Sequence, residues 1–277
     1  MRPDGRRVKN MDAMYALIPQ FLPHRYDAMN MITLNIPVEP MKKYMNEKRA
    51  EGRPVNHLAL IIAAYLRTAA EFPQINRFVG NKKIYAHKDF TVSMVVLRPG
   101  GEGDTMSKVY LDYEDDIFAV QEKMIHYIEE NRAANDDSLD NIMNFLLKIP
   151  GMANFAGYIL RFLDRHGLLP KALIKVSPFH ASFVISNLAS IRTNHIYHHV
   201  YEFGTTSVAI TMGNNRLVPV QKKGQVVFEK CMPLGVVMDE RICSGHYFAR
   251  AFLRLKSYLA DPTLLEGPPA FEIIPDE

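Results

Sequence analysis

The chain of 277 residues is 48% apolar and carries 33 basic against 30 acidic residues, a formal net charge of +3. That is enough apolar material for one large α/β core, and a near-balanced charge without a dense basic stripe points away from a nucleic-acid partner. No apolar run approaches the ~18 residues of a membrane span, the longest being Leu58 to Leu66; the basic start leads into no signal-peptide core, and two thiols, Cys231 and Cys243, fit a reduced cytoplasm.

In chain order, residues 1–30 read as an N-terminal extension, with Arg2, Arg6, Arg7 and Lys9 in a solvated tail, 31–265 as a single domain and 266–277 as a C-terminal tail. Apolar periodicity predicts helices over about 11–18, 38–50, 56–71, 115–132, 137–147, 152–165 and 246–259. Runs rich in Val, Ile, Thr and Phe predict strands near 31–36, 90–97, 108–112, 182–187, 206–212, 216–220, 226–229 and 232–238. The acidic run Tyr113-Glu114-Asp115-Asp116 marks a helix start, where carboxylates complement the macrodipole. Between Ser138 and Lys175 the chain is unusually apolar, and packing into the core or a subunit interface is the first expectation; a cover over a substrate mouth and peripheral membrane contact are the others.

Histidines offer few sites by pattern. His195, His198 and His199 have spacings that converge only on a helix, whereas Ile196, Tyr197, Val200 and Tyr201 around them read as strand or loop, so a solvated or interface cluster is expected and no metal. His24 and His57 read as ordinary surface or half-buried residues, and His246 opens the last helix pointing elsewhere.

The most informative segment is Met238-Asp239-Glu240-Arg241-Ile242-Cys243-Ser244-Gly245. It resembles the Asp-His-Arg-x-x-Asp-Gly signature of the acyltransferase cores of 2-oxo acid dehydrogenase complexes, and the His-His-x-x-x-Asp-Gly loop of chloramphenicol acetyltransferases. Asp239, Arg241 and Gly245 match; the histidine has become Glu240 and the second aspartate Ser244. The order of strand, hairpin, strand and signature through Val208–Val237 is similar to both families, as are Ser182–Leu188 to their Phe-Thr-Ile-Ser-Asn-Leu strand and Glu71–Asn76 to their Pro-Glu-x-Asn turn. The likeness covers roughly residues 30–265 and is weakest between about 100 and 180.

The resemblance implies a two-layer α/β sandwich with a mixed β-sheet of the chloramphenicol acetyltransferase type, assembled as a homotrimer with each site between subunits. It implies acyl transfer from acyl-CoA to a small thiol or hydroxyl, coenzyme A being a substrate and no metal being needed. In these families the loop histidine removes the acceptor's proton and a strand serine stabilises the oxyanion. Ser186 falls at that serine, which leaves Glu240 as the candidate base and Ser244 as the third loop position. A carboxylate of ordinary pKa is a poor base toward an alcohol or thiol unless desolvation raises it, and a serine cannot supply the charge by which the families' aspartate pairs with an arginine. Gly213, Asn214 and Arg216 follow the strand that meets coenzyme A, with Arg216 the cation left there for phosphate, which implies weak CoA binding. No lipoylation turn or low-complexity linker is visible, so the acyl group is expected from a diffusible carrier or a partner protein. The alternatives are a catalytically inactive relative that keeps the fold to bind a CoA-like ligand or a protein, and a scaffold docking another enzyme through the apolar middle segment.

Overall fold

The computed structural model describes residues 2–97, 104–133, 148, 151–274 and 276, and the helix expected over 137–147 lies outside them. Strands β2 (Met29–Pro37), β5 (Phe90–Leu97), β6 (Asp104–Leu111), β7 (Phe183–Asn187), β8 (Val208–Met212), β9 (Arg216–Lys222) and β10 (Gln225–Asp239) form one mixed sheet. Its order is β2-β10-β8-β7-β5-β6, with β9 paired to the outer part of β10. The pairs of β7 with β5 and with β8 are parallel and the others antiparallel.

Alternation along the strands builds the two layers. Phe183 and Ile185, Ile210 and Met212, Leu234 and Val236, and Leu34 and Ile36 all enter one core. Helices α3 (His57–Glu71), α4 (Ile117–Ala133) and α7 (Gly245–Ala260) cover that face. Helix α3 is buried from Ala59 to Ala70 and begins at Asn56, whose side chain accepts from the Ala59 amide at 2.9 Å. The acidic run works as a helix start: Asp116 accepts from the amides of Phe118 and Ala119 at 2.9 and 2.8 Å. Helix α1 (Ala13–Phe21) lies before the sheet, and α2 (Val38–Ala50) follows β2 directly. No helix among the described residues is long and apolar enough to cross a membrane.

The two strands expected over 226–229 and 232–238 are one, β10, despite Pro233. The reason lies in the ladder. β10 pairs with β9 as far as Cys231 and with β8 from Leu234. Pro233 falls in the changeover, and its carbonyl accepts from Gly213 at 2.9 Å. The N–H and C=O of a strand residue point the same way, so the missing donor faces the gap between two partners.

A small second sheet was not legible. β1 (Gly5–Arg7) pairs β4 (Lys83–His87), which pairs β3 (Arg77–Gly80) around a turn in which Asn81 and Lys82 both have positive φ. The basic start is therefore not a solvated tail. Arg2 is buried and reaches Asp164, bonding its carboxylate and its carbonyl at 2.6 Å each, while Arg6 and Arg7 stay exposed on β1. Asp164 closes helix α5 (Met152–His166), which precedes the short α6 (Lys171–Val176). Of the expected apolar segment, α5 leaves Phe155, Tyr158 and Phe162 exposed with Asp164 as its buried residue, whereas Leu169 and Ile174 beyond it are buried.

Candidate functional site

Three buried charges lock the loop after β10. Asp239 accepts from Arg241 Nε at 2.8 Å, Arg241 Nη2 at 2.7 Å and the Arg241 amide at 3.1 Å. Arg25 Nε stands 3.5 Å from the same carboxylate, and the side chains of Arg25, Arg241 and Asp239 are at most 2% exposed. Arg25 also donates to the carbonyls of Tyr201 and Gly204, and burial pulls its pKa below the usual arginine value. Losing the families' aspartate has thus not left this loop without an ion pair.

Between these fixed neighbours Glu240 is half-buried. Its amide donates to Ala28 O at 2.9 Å, and Asn30 Nδ2 donates to its Oε2 at 2.7 Å. Oε1 has no hydrogen-bond partner among the described residues. Ser244 Oγ accepts from the Tyr247 amide at 3.0 Å and caps α7, a role that any good N-cap fills. Burial drives the Cys243 thiol far above its ordinary value, so it stays protonated and is a poor nucleophile.

Ser186 lies elsewhere. Phe183 and Ile185 point into the core, so Ser186, half-buried, takes the face away from the helices. Register places Ser186 beside Thr211, Thr211 beside Gly235 and Gly235 beside Thr33, a row across four strands. Glu240 comes five residues after Gly235; at ~3.3 Å per residue and ~4.8 Å per strand the two positions are roughly 19 Å apart. One chain does not bring Ser186 and Glu240 together.

The segment from Thr193 to Val200 crosses this face, and its fit explains two glycines. A Cβ on Gly213 would stand 2.3 Å from the His195 amide nitrogen, and one on Gly235 2.4 Å from Ile196 O. Thr211 Oγ1 accepts from Ile196 N at 3.1 Å and donates to Ile196 O at 2.5 Å. His195 Nε2 meets Thr33 Oγ1 at 3.0 Å, and Thr33 Oγ1 meets Tyr197 OH at 2.6 Å. His195 Nδ1 is buried with no partner among the described residues. Burial, and then Arg216, lower the pKa of His195. His198 and His199 stack on each other at 4.9 Å. Of the residues expected to meet coenzyme A, Gly213 is buried under His195, the Asn214 amide donates to Thr193 O at 3.1 Å, and exposed Arg216 donates to Asn35 Oδ1 at 3.1 Å. Sequence reading treated the three histidines as one cluster and missed His195. The signal was the pair of glycines inside β-rich runs, which marks a close chain crossing.

A family model for the 2-oxoacid dehydrogenases acyltransferase (catalytic domain) matches residues 179–266, the stretch holding Ser186, Thr211, Gly235 and Glu240. The fold is shared over nearly the whole chain. A probable dihydrolipoamide acetyltransferase from Listeria monocytogenes aligns with a TM-score of 0.57 at 12% identity, covering 97% of this chain and 99% of that one. Azotobacter vinelandii dihydrolipoamide acetyltransferase, solved to investigate a serine, a histidine and an asparagine in its catalytic mechanism, aligns at 0.60 and 14% identity over 93% of each chain. A chloramphenicol acetyltransferase aligns at 0.54 and 11% identity over 92% of this chain and 99% of that one. Among curated proteins none matches the chain.

Proposed function

From the premise that this chain has the fold of the CoA-dependent acyltransferase superfamily, we propose that it transfers an acyl group from a CoA thioester to a small thiol or hydroxyl acceptor. Glu240 accepts the acceptor's proton while the acceptor oxygen or sulfur attacks the thioester carbonyl. Ser186 Oγ–H donates to the oxyanion of the tetrahedral intermediate. Collapse expels the CoA thiolate, which takes the proton back from Glu240, so the carboxylate is regenerated.

The observation that carries this reading is Glu240 itself. A half-buried carboxylate stands at the loop position of the families' base, held through one oxygen by Asn30 and backed by the locked Asp239–Arg241 pair. A base must be oriented before it is useful. In the Azotobacter enzyme the investigated histidine and asparagine are four positions apart, the spacing of Glu240 and Ser244 here. The separation of Ser186 from Glu240 is met by a homotrimer, in which the serine of one chain faces the glutamate of the next. The exposed apolar residues Leu217, Val226 and Phe228 on the β9–β10 ribbon suit that assembly, since an uncovered two-stranded ribbon is marginally stable.

The competing reading is a relative that binds ligand without turnover, favoured by the Asn30 hydrogen bond, which gives Glu240 a bracing role. Acetyl-CoA with a panel of thiol and hydroxyl acceptors decides between them. Glu240→Gln is expected to lower transfer roughly a hundredfold or more with the fold intact, and Ser186→Ala by a similar factor. A parent chain without thioester-dependent transfer to any acceptor overturns the enzyme. Gain of transfer in Glu240→His plus Ser244→Asp, from such a parent, would then place the loss in the loop chemistry.

A further inference from the structure

A cavity of about 310 Å³ opens behind the 239–241 loop, between the N-terminal segment, the β3–β4 turn and α5. Six cationic side chains line it, Arg2, Arg25, Lys82, Arg161, Arg165 and Arg241, against two carboxylates, Asp164 and Glu202. Asp4 and Asp239 neutralise Arg2 and the Arg25–Arg241 pair from outside the lining, which still leaves six positive charges facing four negative. The excess is localised. Among the described residues no carboxylate pairs with Lys82, Arg161 or Arg165. Arg161 and Arg165 stand four residues apart on α5, hence on one face of the helix. Lys82 comes from the turn in which Asn81 and Lys82 both have positive φ.

We propose that this cavity binds a compact phosphate group, free or at the end of a larger molecule. Guanidinium forks match phosphate oxygens two at a time, and several unpaired cations converging from separate elements call for an anion of more than one charge. The occupant would sit against Arg25 and Arg241, the two side chains that hold Asp239, and so against the support of Glu240. The site stands on its own charges and does not depend on acyl transfer.

The test uses inorganic pyrophosphate as the probe, titrated calorimetrically into the full chain at constant ionic strength. Arg161 and Arg165 are exposed, so the double variant Arg161→Gln plus Arg165→Gln keeps the fold, which a thermal melt verifies. Pyrophosphate is expected to bind the parent, with a dissociation constant at least about tenfold higher in the double variant and raised in the same direction by Lys82→Gln. Coenzyme A titrated in parallel separates the sources: affinity that falls with the double variant identifies a phosphate carried by CoA, and unchanged CoA affinity identifies a free or other phosphate. No pyrophosphate binding to the parent beyond a chloride control, or binding that the double variant leaves unchanged, overturns the proposal.

Discussion

Removing the carboxylate of Asp239 is the sharpest structural perturbation available. Arg241 gives it two charge-assisted hydrogen bonds, at 2.8 and 2.7 Å, and Arg25 lies 3.5 Å away with neither arginine more than 2% exposed. Hydrogen bonds to charged groups contribute about 1.5–3 kcal/mol each, and leaving a buried charge unpaired costs about 3–5 kcal/mol. The two arguments agree on a loss of about 3–5 kcal/mol for Asp239→Ala. For a chain of this size that corresponds to a fall in Tm of roughly 6–20 °C. Urea and thermal denaturation followed by circular dichroism would measure it, with Glu240→Ala as the partly exposed control expected to change little. A loss below about 1 kcal/mol would mean that the arginines are solvated in the native state and that the loop is not locked as described.

Gly235→Ala should cost about 1–3 kcal/mol, since its Cβ would meet Ile196 O at 2.4 Å and Thr211 Oγ1 at 2.8 Å; an unchanged denaturation midpoint would show that the crossing segment yields. Ser244→Ala should lose about 1 kcal/mol as a helix cap while any transfer rate stays the same, and a rate that collapses without a stability change would return Ser244 to the chemistry. The half-buried His87 ring is held down to about 3, chiefly by burial, against a counteracting pull from Asp4 and from its hydrogen bond to Thr205 O. Its folded pKa lies below its unfolded one, so the unfolded chain takes up the proton first as pH falls. Stability from this group is complete above about pH 6.5 and declines below it by up to about 1.4 kcal/mol per unit. His87→Gln should flatten the pH 6.5–5 part of the stability profile, and identical profiles for variant and parent would remove His87 as the cause.

The loop and the main sheet were legible because their information is local: alternating apolar residues, a strand, hairpin and strand in succession, and a charged signature between a strand and a periodic helix. What was missed depends on distance along the chain. Arg2 reads as a solvated cation until Asp164, 162 residues later, closes on it. β3 and β4 are four and five residues long and turn through Asn-Lys, without the glycine that usually advertises such a hairpin. His195 was hidden by its neighbours: His198 and His199 made a pattern with it, but they stack on each other while the His195 ring meets Thr33 on the Ser186 face.

The central claim is a catalytic site shared between chains, with Ser186 supplied by one and Glu240 by the next. It is tested by mixing Glu240→Gln and Ser186→Ala chains, each inactive alone, under conditions that let subunits exchange. In a random trimer about one interface in four joins an intact serine to an intact glutamate, so transfer from acetyl-CoA should return to about a quarter of the parent rate. A parent that transfers acyl groups while the mixture stays as inactive as its components would contradict the shared site.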